Sequence, residues 1–127
     1  MEARALFERA LKINEASYGP DHPQVAISVN NLGSVLQALG ELAEARKLFE
    51  RSLQIDEAYY GPDHPSVAVS VNNLGLVLQA LGEMAEVRKY LERALKIFEA
   101  GYGPGHPHTQ SVHNNLRELA PPKAEES

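Results

Sequence analysis

The chain contains no cysteine in its 127 residues, so neither a disulfide framework nor thiolate chemistry is open to it. It also lacks an excess of basic charge: 12 Lys and Arg stand against 17 Asp and Glu, a formal charge of -5. Nucleic-acid and anionic-membrane binders carry a basic stripe, and that balance argues against both classes of partner. Long apolar runs are missing as well. Met1-Glu2-Ala3-Arg4 leads straight into an amphipathic pattern, with no apolar signal core. The charge-free stretch from Pro23 to Gly40 carries Gln24, Asn30, Asn31 and Gln37, which is not the character of a membrane span. These absences predict a soluble cytoplasmic protein. What is present, 43% hydrophobic residues over a domain-sized length, suffices for a real core.

The dominant positive feature is internal repetition. Gly19-Pro20-Asp21-His22-Pro23 returns as Gly61-Pro62-Asp63-His64-Pro65 and again as Gly103-Pro104-Gly105-His106-Pro107, with a period of 42. Residues 19–60 and 61–102 are identical at 31 of 42 positions. Phe7-Glu8-Arg9-Ala10-Leu11 matches the ends of both units, and Asn114-Asn115-Leu116 matches their beginnings at Asn30-Asn31-Leu32. The chain therefore reads as a half repeat (1–18), two whole repeats (19–60 and 61–102) and a second half repeat (103–119). Residues 120–127, with Pro121-Pro122 and three charges, read as a flexible tail.

Each repeat reads as two helices. The first spans 23–39: proline suits its first position, and Gly40 supplies a left-handed stop. Val25, Val29, Leu32, Leu36 and Leu39 recur at helical spacing. The second spans 41–60, with Leu42, Ala45, Leu48, Phe49, Ser52 and Leu53 on one stripe, and ends at Gly61-Pro62. The same pattern predicts helices over 2–18, 65–81, 83–102 and 107–119, and no strands. Gly33 and Gly75 fall where the two helices of a pair approach most closely. Such a pair buries its faces only by stacking on its neighbours into a superhelix with a concave side. The fold class is thus all-α, an α-solenoid of about six helices.

These residues resemble the tetratricopeptide repeat. Its signature of spaced large residues around Leu-Gly appears as Val29-x2-Leu32-Gly33-x2-Leu36 and Ala45-x3-Phe49, then as Val71-x2-Leu74-Gly75-x2-Leu78 and Val87-x3-Leu91. The long period, the Tyr-Gly-x-x-His-Pro junction and the Asn-Asn-Leu helix are similar to the 42-residue repeats of kinesin light chains and of many bacterial and archaeal repeat proteins. The resemblance covers residues 2–119. It departs from the family in the first helices, where Val and Leu replace large aromatics, and in the third unit. There His113 and Arg117 stand where the others have Val and Gly, as suits a terminal, more solvated helix.

The resemblance implies a right-handed superhelix whose first helices line the concave surface. That places Asn30, Asn72 and Asn114 in a ladder there, able to donate to and accept from the backbone of an extended peptide. Ile27, Val69 and Leu76 add apolar patches, and Gln37 and Gln79 lie further along. Satisfying local backbone, or one another, is the competing role for these amides; Asn31, Asn73 and Asn115 are read as structural. Helices 23–39 and 65–81 contain no charged residue, so the basic groove by which kinesin light chains take acidic cargo motifs is not expected here.

No catalytic constellation is expected. His22, His64 and His106 each precede a proline and read as parts of a junction turn. His106, His108 and His113 cluster, yet no carboxylate or thiol completes a metal-ligand set, so neither metal nor other cofactor is predicted. The Asp-His pairs at 21–22 and 63–64 lack an activated nucleophile. The other carboxylates read as solvated, with no two singled out by an apolar pocket. Gly-Pro-Asp-His-Pro is no phosphate loop, because its prolines remove N–H donors.

The expected function is a non-enzymatic interaction module or scaffold whose groove takes a peptide or protein partner. Two alternatives stay open: a purely structural array that associates end to end, and a regulatory segment of a larger signalling protein. For self-association, Leu6, Phe7 and Leu11 at one end and Val112, Leu116 and Leu119 at the other read as uncovered and complementary, so head-to-tail contact is expected.

Overall fold

Three times along the chain the same device starts a helix. His22, His64 and His106 sit in extended backbone, and each Nδ1 accepts the N–H two residues on, from Gln24 (3.0 Å), Ser66 (3.0 Å) and His108 (3.1 Å). A side-chain acceptor at this position satisfies one of the donors a helix start leaves open, and the proline that follows has no N–H to satisfy. Each capping imidazole also stacks on the tyrosine that closes the preceding helix: Tyr18 on His22 (4.5 Å), Tyr60 on His64 (4.0 Å), Tyr102 on His106 (4.2 Å). The chain turns between them through a glycine at positive φ, +91° at Gly61, which residues with a Cβ rarely adopt.

The computed structural model describes residues 2–119. They form α1 (Glu2–Tyr18), α2 (Pro23–Ala38), α3 (Leu42–Tyr60), α4 (Pro65–Ala80), α5 (Val87–Tyr102) and α6 (Pro107–Arg117). Each helix packs on the next in sequence, giving a right-handed superhelical stack of antiparallel pairs, with no strand among the described residues. No helix among them is long and apolar enough to cross a membrane. The tail expected over 120–127 lies outside the described residues.

Close approach within a pair depends on glycine. A Cβ on Gly33 would lie 2.8 Å from the Phe49 ring, and one on Gly75 would lie 2.9 Å from Leu91. Phe49 and Leu91 are fully buried against these bare patches of backbone. The core then runs on between pairs: Leu32, Leu36, Ala45 and Phe49 cluster with Leu74 and Val77 of α4. Val67, Val71, Leu78, Val87, Leu91 and Val112 form its continuation.

Polar links recur with the same period. Arg51 bridges to Glu15 (2.8 Å) and donates to the Pro20 carbonyl (3.2 Å), and Arg93 does the same to Glu57 (2.7 Å) and Pro62 (3.2 Å). Arg46 reaches Glu83 (3.1 Å). The charges of the second helices thus tie α1, α3 and α5 to one another. Each such part-exposed pair contributes about 0.2–1 kcal/mol.

Two expectations are corrected. Helix α5 begins at Val87 and not at residue 83: Met84, Ala85 and Glu86 form a turn, although the matching residues Leu42, Ala43 and Glu44 are helical. The change coincides with Val87 in place of Ala45, a β-branched residue packed fully into the core at the helix start. At the other end, Val112 and Leu119 are not uncovered. Val112 points back into the α4–α5 core, and Leu119, just past the end of α6, folds onto the same cluster. Only Leu116 is partly open there, and it too packs on that cluster. At the start of the chain, Phe7 and Leu11 pack partly against the core while Leu6 stays 64% exposed.

Candidate functional site

Successive first helices run side by side, and between α2 and α4 they leave a cleft of about 190 Å³. Pro23, Ala26, Ile27 and Asn30 of α2 form one wall; Ser66, Val69 and Ser70 of α4 form the other. Three residues of α3 line it as well: Ser52, Asp56 and Tyr60. The walls carry no charge, because neither α2 nor α4 has an ionisable side chain in the cleft. Ser52 and Ser70 share a hydrogen bond of 2.8 Å, and each hydroxyl keeps further capacity.

This geometry brings together Ile27, Val69 and Asn30 of the residues singled out from sequence. Ile27 is 55% exposed and free to be covered by a ligand, while Val69 is half-buried. The asparagines are not equivalent. Asn73 Nδ2 donates to Asn30 Oδ1 (3.0 Å), so the first amide of one unit is held by the second amide of the next. Asn72 Oδ1 is buried without a partner among the described residues, and Asn114 is exposed on α6. Gln37, Leu76 and Gln79 are half-buried further along and do not line this cleft. The exposed Asn114 and His113 make α6 the most solvated of the three first helices.

Asp56 is the residue that sequence reasoning missed. The carboxylates read as solvated, yet Asp56 is only 6% exposed. Burial pushes its carboxyl up from 3.8 to about 6, against a smaller opposing pull from His64. Among the described residues it has no hydrogen-bond donor and no ion-pair partner, and it opens into the cleft. Its signal was available: Phe49, Ser52 and Asp56 lie at helical spacing, so the buried stripe of α3 runs one turn further than its apolar members. His106 and His108 come within 5.0 Å of each other, ring to ring, as neighbours of Phe98 and Tyr102. No three His, Asp or Glu among the described residues form a group able to hold a metal ion.

A stack of antiparallel pairs, glycine-tight within each pair and open between first helices, defines an α-solenoid built for presenting surface. Two models of the tetratricopeptide repeat match the chain, one over residues 24–100 and 69–116, the other over 2–24. The chain belongs to the tetratricopeptide repeat family, whose members are in general interaction modules and not enzymes. Among solved structures, a crystal structure from Podosopora anserina, of a protein named as a kinesin light chain with nearly identical TPR-like repeats, is similar with a TM-score of 0.82 and 28% identity. The likeness covers 91% of this chain and 55% of that one. A single-substitution variant of that protein gives a TM-score of 0.82 at 26% identity, covering 91% and 54%. This chain therefore spans about half the length of these relatives. No curated protein matches it.

Proposed function

We propose that this chain is a non-enzymatic, cytoplasmic protein-interaction module that holds an extended segment of a partner protein against α2, α4 and α6. The observation that carries the reading is the α2–α4 cleft, where exposed Ile27 stands opposite Val69 beside the Asn30 amide, on helix walls that carry no charged residue. Apolar contacts there supply affinity, and the amides of Asn72 and Asn114 supply hydrogen bonds that do not depend on the partner's sequence. Asn30 serves two ends, because its oxygen already accepts from Asn73.

Ile27→Glu tests this reading. Its exposed side chain makes it harmless to the core, yet it sets a charge in the cleft. A partner recovered with the wild-type chain, identified and remeasured by calorimetry, is expected to bind at least tenfold more weakly to Ile27→Glu and to the joint Asn72→Ala, Asn114→Ala variant. Unchanged affinity in both would sink the groove reading.

One observation favours a second reading, the self-associating array. Leu6 and Ile13 are 64% and 56% exposed on α1, although Ile55 and Ile97, a period and two periods on, are buried. Helix α1 thus presents an apolar face of the kind that a further first helix covers elsewhere in the stack.

A further inference from the structure

The cleft between α2 and α4 is not repeated at the next step of the stack. One period on from Ser52, Asp56 and Ser70 stand Ala94, Phe98 and Val112, all buried and all apolar. One period back from Ser52 and Asp56 stand Ala10 and Asn14, and Asn14 Nδ2 donates to Ser28 Oγ (2.6 Å). The stack is therefore built three ways at the same place, with a neutral amide, with a carboxylate and with a phenyl ring. A carboxylate is not what the packing requires there. At Asp56 alone a buried anion is left with no donor among the described residues, while its neighbours Ser52 and Ser70 bond to each other. A carboxylate held out of bulk water without a partner is costly to a fold, and a cation that reaches it from the open side of the cleft offsets that cost.

We propose that the α2–α4 cleft is a lysine pocket, in which Asp56 receives the ammonium group of a lysine side chain carried by the partner segment. This proposal rests on the groove reading above and adds what the groove selects. The alkyl stem of the lysine lies between Ile27 and Val69, as such stems do along apolar surface, and its charged head reaches the floor. There the ammonium donates one hydrogen to Asp56 and has the Ser52–Ser70 hydroxyl pair as further acceptors. One carboxylate and two hydroxyls line the cleft, a set that suits a compact ammonium, whereas a guanidinium is matched best by a bidentate partner. The ionisable groups that bear on the bound charge are few. Helix α3 contributes Asp56 and Tyr60, α2 and α4 contribute none within the cleft, and the α3–α4 junction contributes His64. His64 Nδ1 already accepts from Ser66, so it is committed to the helix cap. Because the empty carboxyl is half-protonated near pH 6, binding of an ammonium draws a proton off and affinity falls in acid.

The test uses the full chain and Nα-acetyl-lysine N-methylamide, with the Asp56 carboxyl carbon and the Ile27 and Val69 methyl groups followed by NMR. This blocked lysine is expected to shift all three saturably and to lower the Asp56 midpoint by about one pH unit or more. Its affinity is expected to be about tenfold weaker at pH 5 than at pH 7, which follows from a midpoint near 6. Asp56→Asn is expected to lose the methyl shifts while keeping its helicity, since Asn14 fills the matching place one repeat earlier. No saturable shift up to the solubility of the amide, or an equal shift from the norleucine analogue, would overturn the pocket. So would an equal response to glycine amide, which carries only an amino-terminal ammonium. A partner that binds Asp56→Asn as well as wild type, yet is lost by Ile27→Glu, would overturn the lysine pocket and leave the groove reading standing.

Discussion

At Asp56 the fold holds a group in the protonation state it resists. The rise from 3.8 to about 6 corresponds to about 3 kcal/mol of stability that is present below the unfolded-state value and lost as pH rises through the folded one. Asp56→Asn is therefore expected to be more stable than wild type at pH 7, by up to about 3 kcal/mol, with the gap closing towards pH 4. Urea denaturation of the two proteins at both pH values measures this, and equal stabilities at pH 7 would show that the carboxyl is not buried in solution. A position that gives up stability in this way is characteristic of function. The glycines carry the opposite message. Gly33→Leu must displace the Phe49 ring, and is expected to cost at least as much as Leu32→Ala, for which burial predicts about 2–5 kcal/mol. Melting of the two variants side by side decides it. Gly33 was legible from sequence because its spacing to Leu32 and Leu36 sets it on the packed stripe. Asp56 was not, because charge masks a buried position when residues are read by polarity alone.

Among the helices, the junction is the element with the most regular physics: tyrosine, positive-φ glycine, capping histidine, proline. His22→Ala removes the bond to the Gln24 N–H and the stack on Tyr18, and is expected to cost about 0.5–2 kcal/mol, most of it restored in His22→Asn. Equal denaturation midpoints for wild type and His22→Ala would show the cap to be idle. This role could be placed from the sequence, since His-Pro recurs once per period at a helix start. The late start of α5 could not. Gly82-Glu83 repeats Gly40-Glu41 letter for letter, and the helix is delayed beyond the point where local signals agree, next to a buried Val87 whose environment is set by α4. Val112 and Leu119 were misplaced for a related reason. Helical spacing gives the face a residue shares but not which neighbour occupies that face, and both turn towards helices already present.

For the molecule as a whole, end-to-end association now depends mainly on α1, since Val112 and Leu119 are already covered. Monomers are expected in dilute solution, with association appearing only at high concentration. Leu6→Glu should weaken it without harming the fold, because Leu6 is exposed, whereas Phe7 packs on the core and tests stability instead. Sedimentation across concentrations checks this, and association undiminished in Leu6→Glu would rule the α1 face out. The inequality of the steps along the stack has a further consequence. Since Asp56 is replaced one period on by Phe98, the acidic cleft occurs once among the described residues, and the proposed lysine pocket would take one lysine of a partner. An array lengthened by copying residues 19–60 would gain a near-equivalent cleft at each added step, with Gln24 and Ile27 taking the places of Ser66 and Val69. A partner with lysines at matching intervals would then be held by avidity, its second contact made at the high effective concentration set by the first. Valency, in such a chain, would be a matter of how many times one unit had been copied.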